Sequence, residues 1–73
     1  MDKIINVAAY IANKYHEMTS ELLDEMKLHK LLYFTQRESI AITGSPAIDG
    51  VFEGWKYGPV CREVRDAFYN GEI

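Results

Sequence analysis

Glu25 and His29 stand four residues apart in a stretch that reads as helix, so a carboxylate and an imidazole share one face. Such a pair can ligate a metal or exchange a proton. A zinc-protease helix needs two histidines at this spacing with a glutamate beside the first, and HKLLYF, the run from His29, is not that. His16 lies in a different segment with no partner spacing. The pair therefore reads as an acid–histidine contact on a helix surface, and no metal site is expected. Cys61, the single thiol, follows Pro59 by two positions near a predicted helix start, where the helix dipole favours thiolate. A small half-buried cysteine fits the same place, and no base with an orienting group accompanies it. The glycines are scattered at Gly44, Gly50, Gly54, Gly58 and Gly71, so no loop is built to cradle phosphate. The expectation is a protein without catalytic residues or cofactor, not an enzyme.

Binding chemistry is better represented. Trp, Tyr and Arg dominate binding hot spots because they bury large areas at low entropic cost or offer planar hydrogen bonding. Tyr57, Arg62, Arg65 and Tyr69 become neighbours if a strand runs into a helix here, and they are the candidate partner-binding residues. Trp55 belongs to the same cluster, although a lone Trp in so small a domain reads first as a core anchor. Tyr57 is open to either role. Lys27, Lys30 and Arg37 lie loosely along one side of a helix, but Glu38, Glu63 and Asp66 interleave with the basic residues. A helix-turn-helix needs a turn of about three or four residues, whereas the second and third predicted helices are separated by a longer segment predicted to contain a strand. With a net charge of −3, sequence-independent nucleic-acid binding is disfavoured.

These residues need elements to hold them. Ile4, Val7, Ala8, Ile11, Ala12 and Tyr15 recur at helical spacing, which predicts a first amphipathic helix ending near 16–18. Thr19 and Ser20 then cap a short turn over 21–24. A second helix is predicted over 25–43, with Leu28, Leu31, Leu32, Thr35, Ser39 and Ile42 on one stripe. Tyr33, Phe34 and Ile40 widen its apolar arc, and Gly44 with Ser45-Pro46 stops it. After the Asp49-Gly50 turn, residues 51–57 alternate as a short strand or hairpin arm. Gly58 supplies backbone freedom, Pro59 opens a third helix, and Val60, Val64, Ala67 and Phe68 form its inner face. The fold class is mainly α: about three helices, with a short strand or hairpin before the last.

At 73 residues the chain offers one small domain with a thin stability margin. A hydrophobic content of 48% excludes a disordered chain, and the single cysteine suits a reducing, cytoplasmic setting without an internal disulfide. No apolar run approaches the roughly 20 residues that span a bilayer, and the N-terminus is not a signal peptide.

The stretch from Lys27 to Phe68 resembles the Panacea domain family, which includes SocA-like antitoxins and phage-associated GepA-like proteins. The resemblance lies in Lys27, Leu28, Lys30, Leu31, Leu32 and Tyr33, then Gly44 and Pro46. It continues in Phe52, Trp55, Tyr57, Gly58, Pro59 and Val60. It implies a structural signature of Lys27, Leu28, Leu31, Leu32, Tyr33, Trp55, Gly58 and Pro59, mostly scaffold. It also implies an antitoxin of a toxin–antitoxin system that neutralises a toxin by direct contact. A phage accessory protein or proteolytic adaptor binding a host protein, with a protease as second partner, is the alternative; a DNA-binding regulator ranks below it. Family members continue into further helices, so residues 1–73 correspond to the N-terminal portion of the usual domain, whether as a short form or a fragment. One flank of the second helix would then lack its cover, which implies self-association or an obligate partner chain.

Overall fold

The computed structural model describes residues 1–73 throughout. In chain order the elements are β1 (Asp2–Lys3), α1 (Ile4–Thr19), α2 (Glu25–Thr43), β2 (Ile48–Asp49), β3 (Glu53–Trp55), β4 (Gly58–Val60) and α3 (Arg62–Tyr69). The fold is mainly α, three helices with short strands before the last, as the sequence pattern leads one to expect.

Local chemistry sets the helix boundaries. No side chain caps the start of α1, whose entry is fixed instead by β1, which pairs in parallel with β2, the Asp2 N–H donating to the Ala47 carbonyl at 3.0 Å. Ser20 closes α1 in the left-handed region (φ 61°), its N–H donating to the His16 carbonyl at 2.8 Å. Ser20 thus terminates α1, while the Thr19 hydroxyl accepts the Glu21 N–H at 3.1 Å and so caps the start of the connection, which forms no regular turn over 22–24. Asp24 caps α2 instead, its carboxylate accepting the Lys27 N–H at 2.7 Å, a contact typically worth about 1 kcal/mol. At the other end Gly44, at φ 75°, ends α2 where the sequence places the stop.

The core is assembled from all the helices and β2. Ile4 and Ala8 of α1, Leu28 and Leu32 of α2, Ile48 of β2, and Cys61 and Val64 at α3 are all buried. α2 is rotated relative to the expected stripe: Leu31 is at the surface and Ile42 is 77% exposed, while His29 is buried. Gln36 explains the rotation. Its side-chain amide accepts the N–H groups of Ala47 (3.1 Å) and Ile48 (2.9 Å) and donates to the Ile48 carbonyl (2.8 Å). One side chain therefore stands in for a strand edge and clamps β2 to the helix. An apolar arc as wide as that of α2 leaves its orientation to such polar contacts. Gly50 lets this layer close, since a Cβ there would sit 2.6 Å from Ile4 Cδ1.

The segment after β2 holds the expected hairpin arm but differs from expectation at Pro59 and Val60. β3 and β4 form an antiparallel hairpin in register Glu53↔Val60, Gly54↔Pro59 and Trp55↔Gly58, turning through Lys56 and Tyr57. Pro59 therefore lies in a strand, not at the first turn of a helix, and Val60 belongs to β4. Gly58 has φ 128°, a conformation that suits chain reversal and is closed to side-chain-bearing residues. In a two-stranded hairpin the missing N–H of Pro59 costs no ladder bond, the usual tolerance of edge strands for proline. α3 starts at Arg62 with Cys61 as its N-cap, and Val64 and Ala67 form the inner face.

Candidate partner-binding site

A continuous chain of polar contacts runs from the core to the surface. The Cys61 backbone N–H, which can only donate, points at His29 Nδ1 at 3.3 Å. That nitrogen must be the acceptor, so the ring is neutral with its proton on Nε2, which donates to Glu25 Oε1 at 3.2 Å. The same carboxylate oxygen accepts from Arg65 Nη1 at 3.2 Å. His29 is only 3% exposed, so the helix-surface reading of the Glu25–His29 pair is overturned for the histidine. The contact itself is present, but its role is to tie α2 to α3.

Arg65 is held on two further sides. Its guanidinium carbon lies 5.1 Å from the Trp55 ring centroid and 4.9 Å from that of Tyr69. Arg62 approaches the same indole at 5.6 Å and donates from Nε to Glu53 Oε2 at 2.7 Å. Contacts of this kind contribute roughly 0.5–1 kcal/mol each at exposed positions, and here three converge on two rings. The Arg62 guanidinium holds the Glu53 carboxyl below the usual carboxylate range, and the Trp55 indole N–H, 3.4 Å away, acts in the same direction. Trp55 is 37% exposed, so it is not a pin in the core. Its ring lies against the guanidinium groups of Arg62 and Arg65, and it is Phe52 that packs on the core, its ring meeting Tyr33 edge-on at 5.5 Å.

Trp55, Arg62, Arg65 and Tyr69 therefore form one patch, and Tyr57 stands exposed at the hairpin turn beside it. Between the hairpin and the first turns of α2 lies a pocket of about 250 Å³, whose walls include Trp55, Tyr57, Arg65, Lys30 and Lys56. Sequence reasoning missed Glu25 and His29 as supports of Arg65, because the contact spans 40 residues. It also missed Lys56, which no spacing rule connects to Lys30. No cluster of three or more His, Cys, Asp or Glu side chains is arranged to hold a metal ion. Cys61 is buried in the core rather than presented to solvent. No helix is long and apolar enough to cross a membrane.

The family model of the antitoxin SocA-like, Panacea domain matches residues 28–73, well over half the chain. The chain belongs to the SocA-like Panacea family. Antitoxin SocA of Caulobacter vibrioides (strain NA1000 / CB15N) is 42% identical over 46 residues, which cover 63% of this chain and 24% of that protein. The chain thus matches only a minor part of that relative's length. No solved structure matches it significantly.

Within this Panacea domain the signature residues have separable structural duties. Leu28 and Leu32 fill the core, Tyr33 packs on Phe52, and Gly58 reverses the hairpin. Lys27 clasps α1 to α2 by donating from Nζ to the Tyr15 hydroxyl at 3.3 Å. That bond, seconded by the carboxylates of Asp24 and Glu21, raises the lysine above its ordinary range.

Proposed function

We propose that this Panacea-family chain is an antitoxin-like binding module that neutralises a partner toxin by direct protein contact, without chemistry of its own. The observation that carries this reading is the exposed aromatic–guanidinium patch. Arg65 is fixed by Glu25, Trp55 and Tyr69 before any partner arrives, so a partner need not pay again for ordering that side chain. Tyr57, Arg62, Arg65 and Tyr69 are the proposed contact residues, with Trp55 as their platform. Family membership supports the class of partner; the patch supports contact as the mode.

Co-expression with the product of the adjacent gene tests the proposal. The expected result is rescue of growth and co-purification of the two chains. In a Tyr57→Ala/Tyr69→Ala variant both are lost while the far-UV circular dichroism is unchanged, because both rings are exposed. Truncation at hot-spot positions typically costs 2 kcal/mol or more, so loss of about 30-fold in affinity is the expected scale. Absence of both rescue and co-purification with the wild-type chain would refute the proposal.

A further inference from the structure

The pocket between α2 and the hairpin carries a charge opposite to that of the molecule. Its walls hold three cations, Lys30, Lys56 and Arg65, and one carboxylate, Glu25, giving a local balance of +2 on a chain of net charge −3. The carboxylate is already engaged, since one of its oxygens accepts from both His29 and Arg65. Neither Lys30 nor Lys56 takes part in any ion pair of the structure. Lys56 sits over the Tyr57 ring at 5.5 Å, and Lys30 runs past Gly58, its Cε 3.8 Å from where a Cβ would stand. Two unpaired ammonium groups therefore flank an opening whose remaining walls include Trp55, Pro59 and Val60.

We infer that this pocket is an acceptor for an acidic peptide segment of a partner protein, taking a carboxylate between Lys30 and Lys56 and an apolar side chain against Trp55. The inference rests on the binding function proposed above and names the chemistry of the segment bound. Size is compatible with it: at about 250 Å³ the pocket lies just under the range of about 300–1,000 Å³ for drug-sized ligands, which suits an insertion of one or two side chains. Charge favours a peptide over a nucleic acid, whose binding needs several phosphates neutralised together, where only two free ammonium groups are offered.

Trp55 is the sole tryptophan and lines the pocket, so its fluorescence reports occupancy. The probe is a blocked hexapeptide alternating glutamate and leucine, titrated into the whole chain at low salt, with a glutamine–leucine hexapeptide as control. The acidic peptide is expected to give a saturable change that weakens as salt rises, and the control to bind at least tenfold more weakly. Lys30→Gln/Lys56→Gln is expected to weaken the acidic peptide roughly five- to tenfold, the scale of two exposed ion pairs. Both lysines are exposed, so the variant keeps its fold. Equal binding of the two peptides, no saturable change at about millimolar peptide, or tighter binding of an oligothymidylate of similar length would each overturn the inference. A chain that binds the acidic peptide but not the toxin refutes only the proposed function. Toxin binding undiminished in the lysine variant, without peptide binding, refutes only the pocket.

Discussion

Replacing His29 by leucine separates the buried imidazole's hydrogen bonds from its bulk. Leucine restores most of the packing volume, so the cavity contribution is small. What disappears is the acceptor for the Cys61 N–H and the donor to Glu25. An unsatisfied buried N–H costs about 1–3 kcal/mol, and the second bond contributes about 0.5–1.5 kcal/mol because Glu25 keeps Arg65. The expected loss is about 2–4 kcal/mol, against a total of roughly 4–11 kcal/mol for a domain of this size. The melting temperature should fall on the order of 15 °C, at about 4–8 °C per kcal/mol. Urea unfolding followed by circular dichroism measures this directly, with an unchanged m-value showing that the native state stays compact. Glu25→Gln is the control: its amide oxygen can still accept from His29, so its loss should stay below about 1 kcal/mol while Arg65 loses its anion. If His29→Leu matched the wild type within about 0.5 kcal/mol, the position would be an apolar slot and the relay from Cys61 to Arg65 would have no energetic standing.

Two further perturbations probe other parts of the molecule. Gly50→Ala drives a methyl to 2.6 Å from Ile4 Cδ1 and should destabilise by about 1–3 kcal/mol, with partial rescue by Ile4→Val; additive losses in that double-mutant cycle would show that the two sites do not touch. The Glu53 carboxyl, held low by Arg62, should titrate below its unfolded value in an NMR experiment and return to the ordinary range in Arg62→Gln. Because the folded value is the lower one, the ion pair's stabilisation is complete above the unfolded carboxylate range and fades as pH falls through the folded value. An identical titration in the variant would assign the shift to another cause.

The sequence displayed the extent of α2, because Gly44 and the apolar period before it are local signals, while its cap at Asp24 went unread. It could not display how far α2 is rotated, because that depends on Gln36 meeting a backbone eleven residues away. Pro59 was legible as a boundary residue but ambiguous in kind: a proline is equally at ease at the first turn of a helix and on a hairpin edge. The pairing of Pro59 with Gly54 settles the matter, and register arises from pairing across the turn rather than from any one residue. Tyr57, Arg62, Arg65 and Tyr69 were visible as residue types suited to contact. Their common patch required the hairpin to fold back on α3, and the Glu25 support of Arg65 required α2 to lie beneath both.

The relay from Cys61 through His29 and Glu25 to Arg65 divides the surface into parts of unequal freedom to mutate. Arg65 shares the Glu25 carboxylate with the buried imidazole, so a change there also alters the surroundings of a core contact. Lys56 and Tyr57, on the hairpin turn, have no such tether. Drift toward a new binding partner is cheapest at that turn, where no contact with the interior has to be remade.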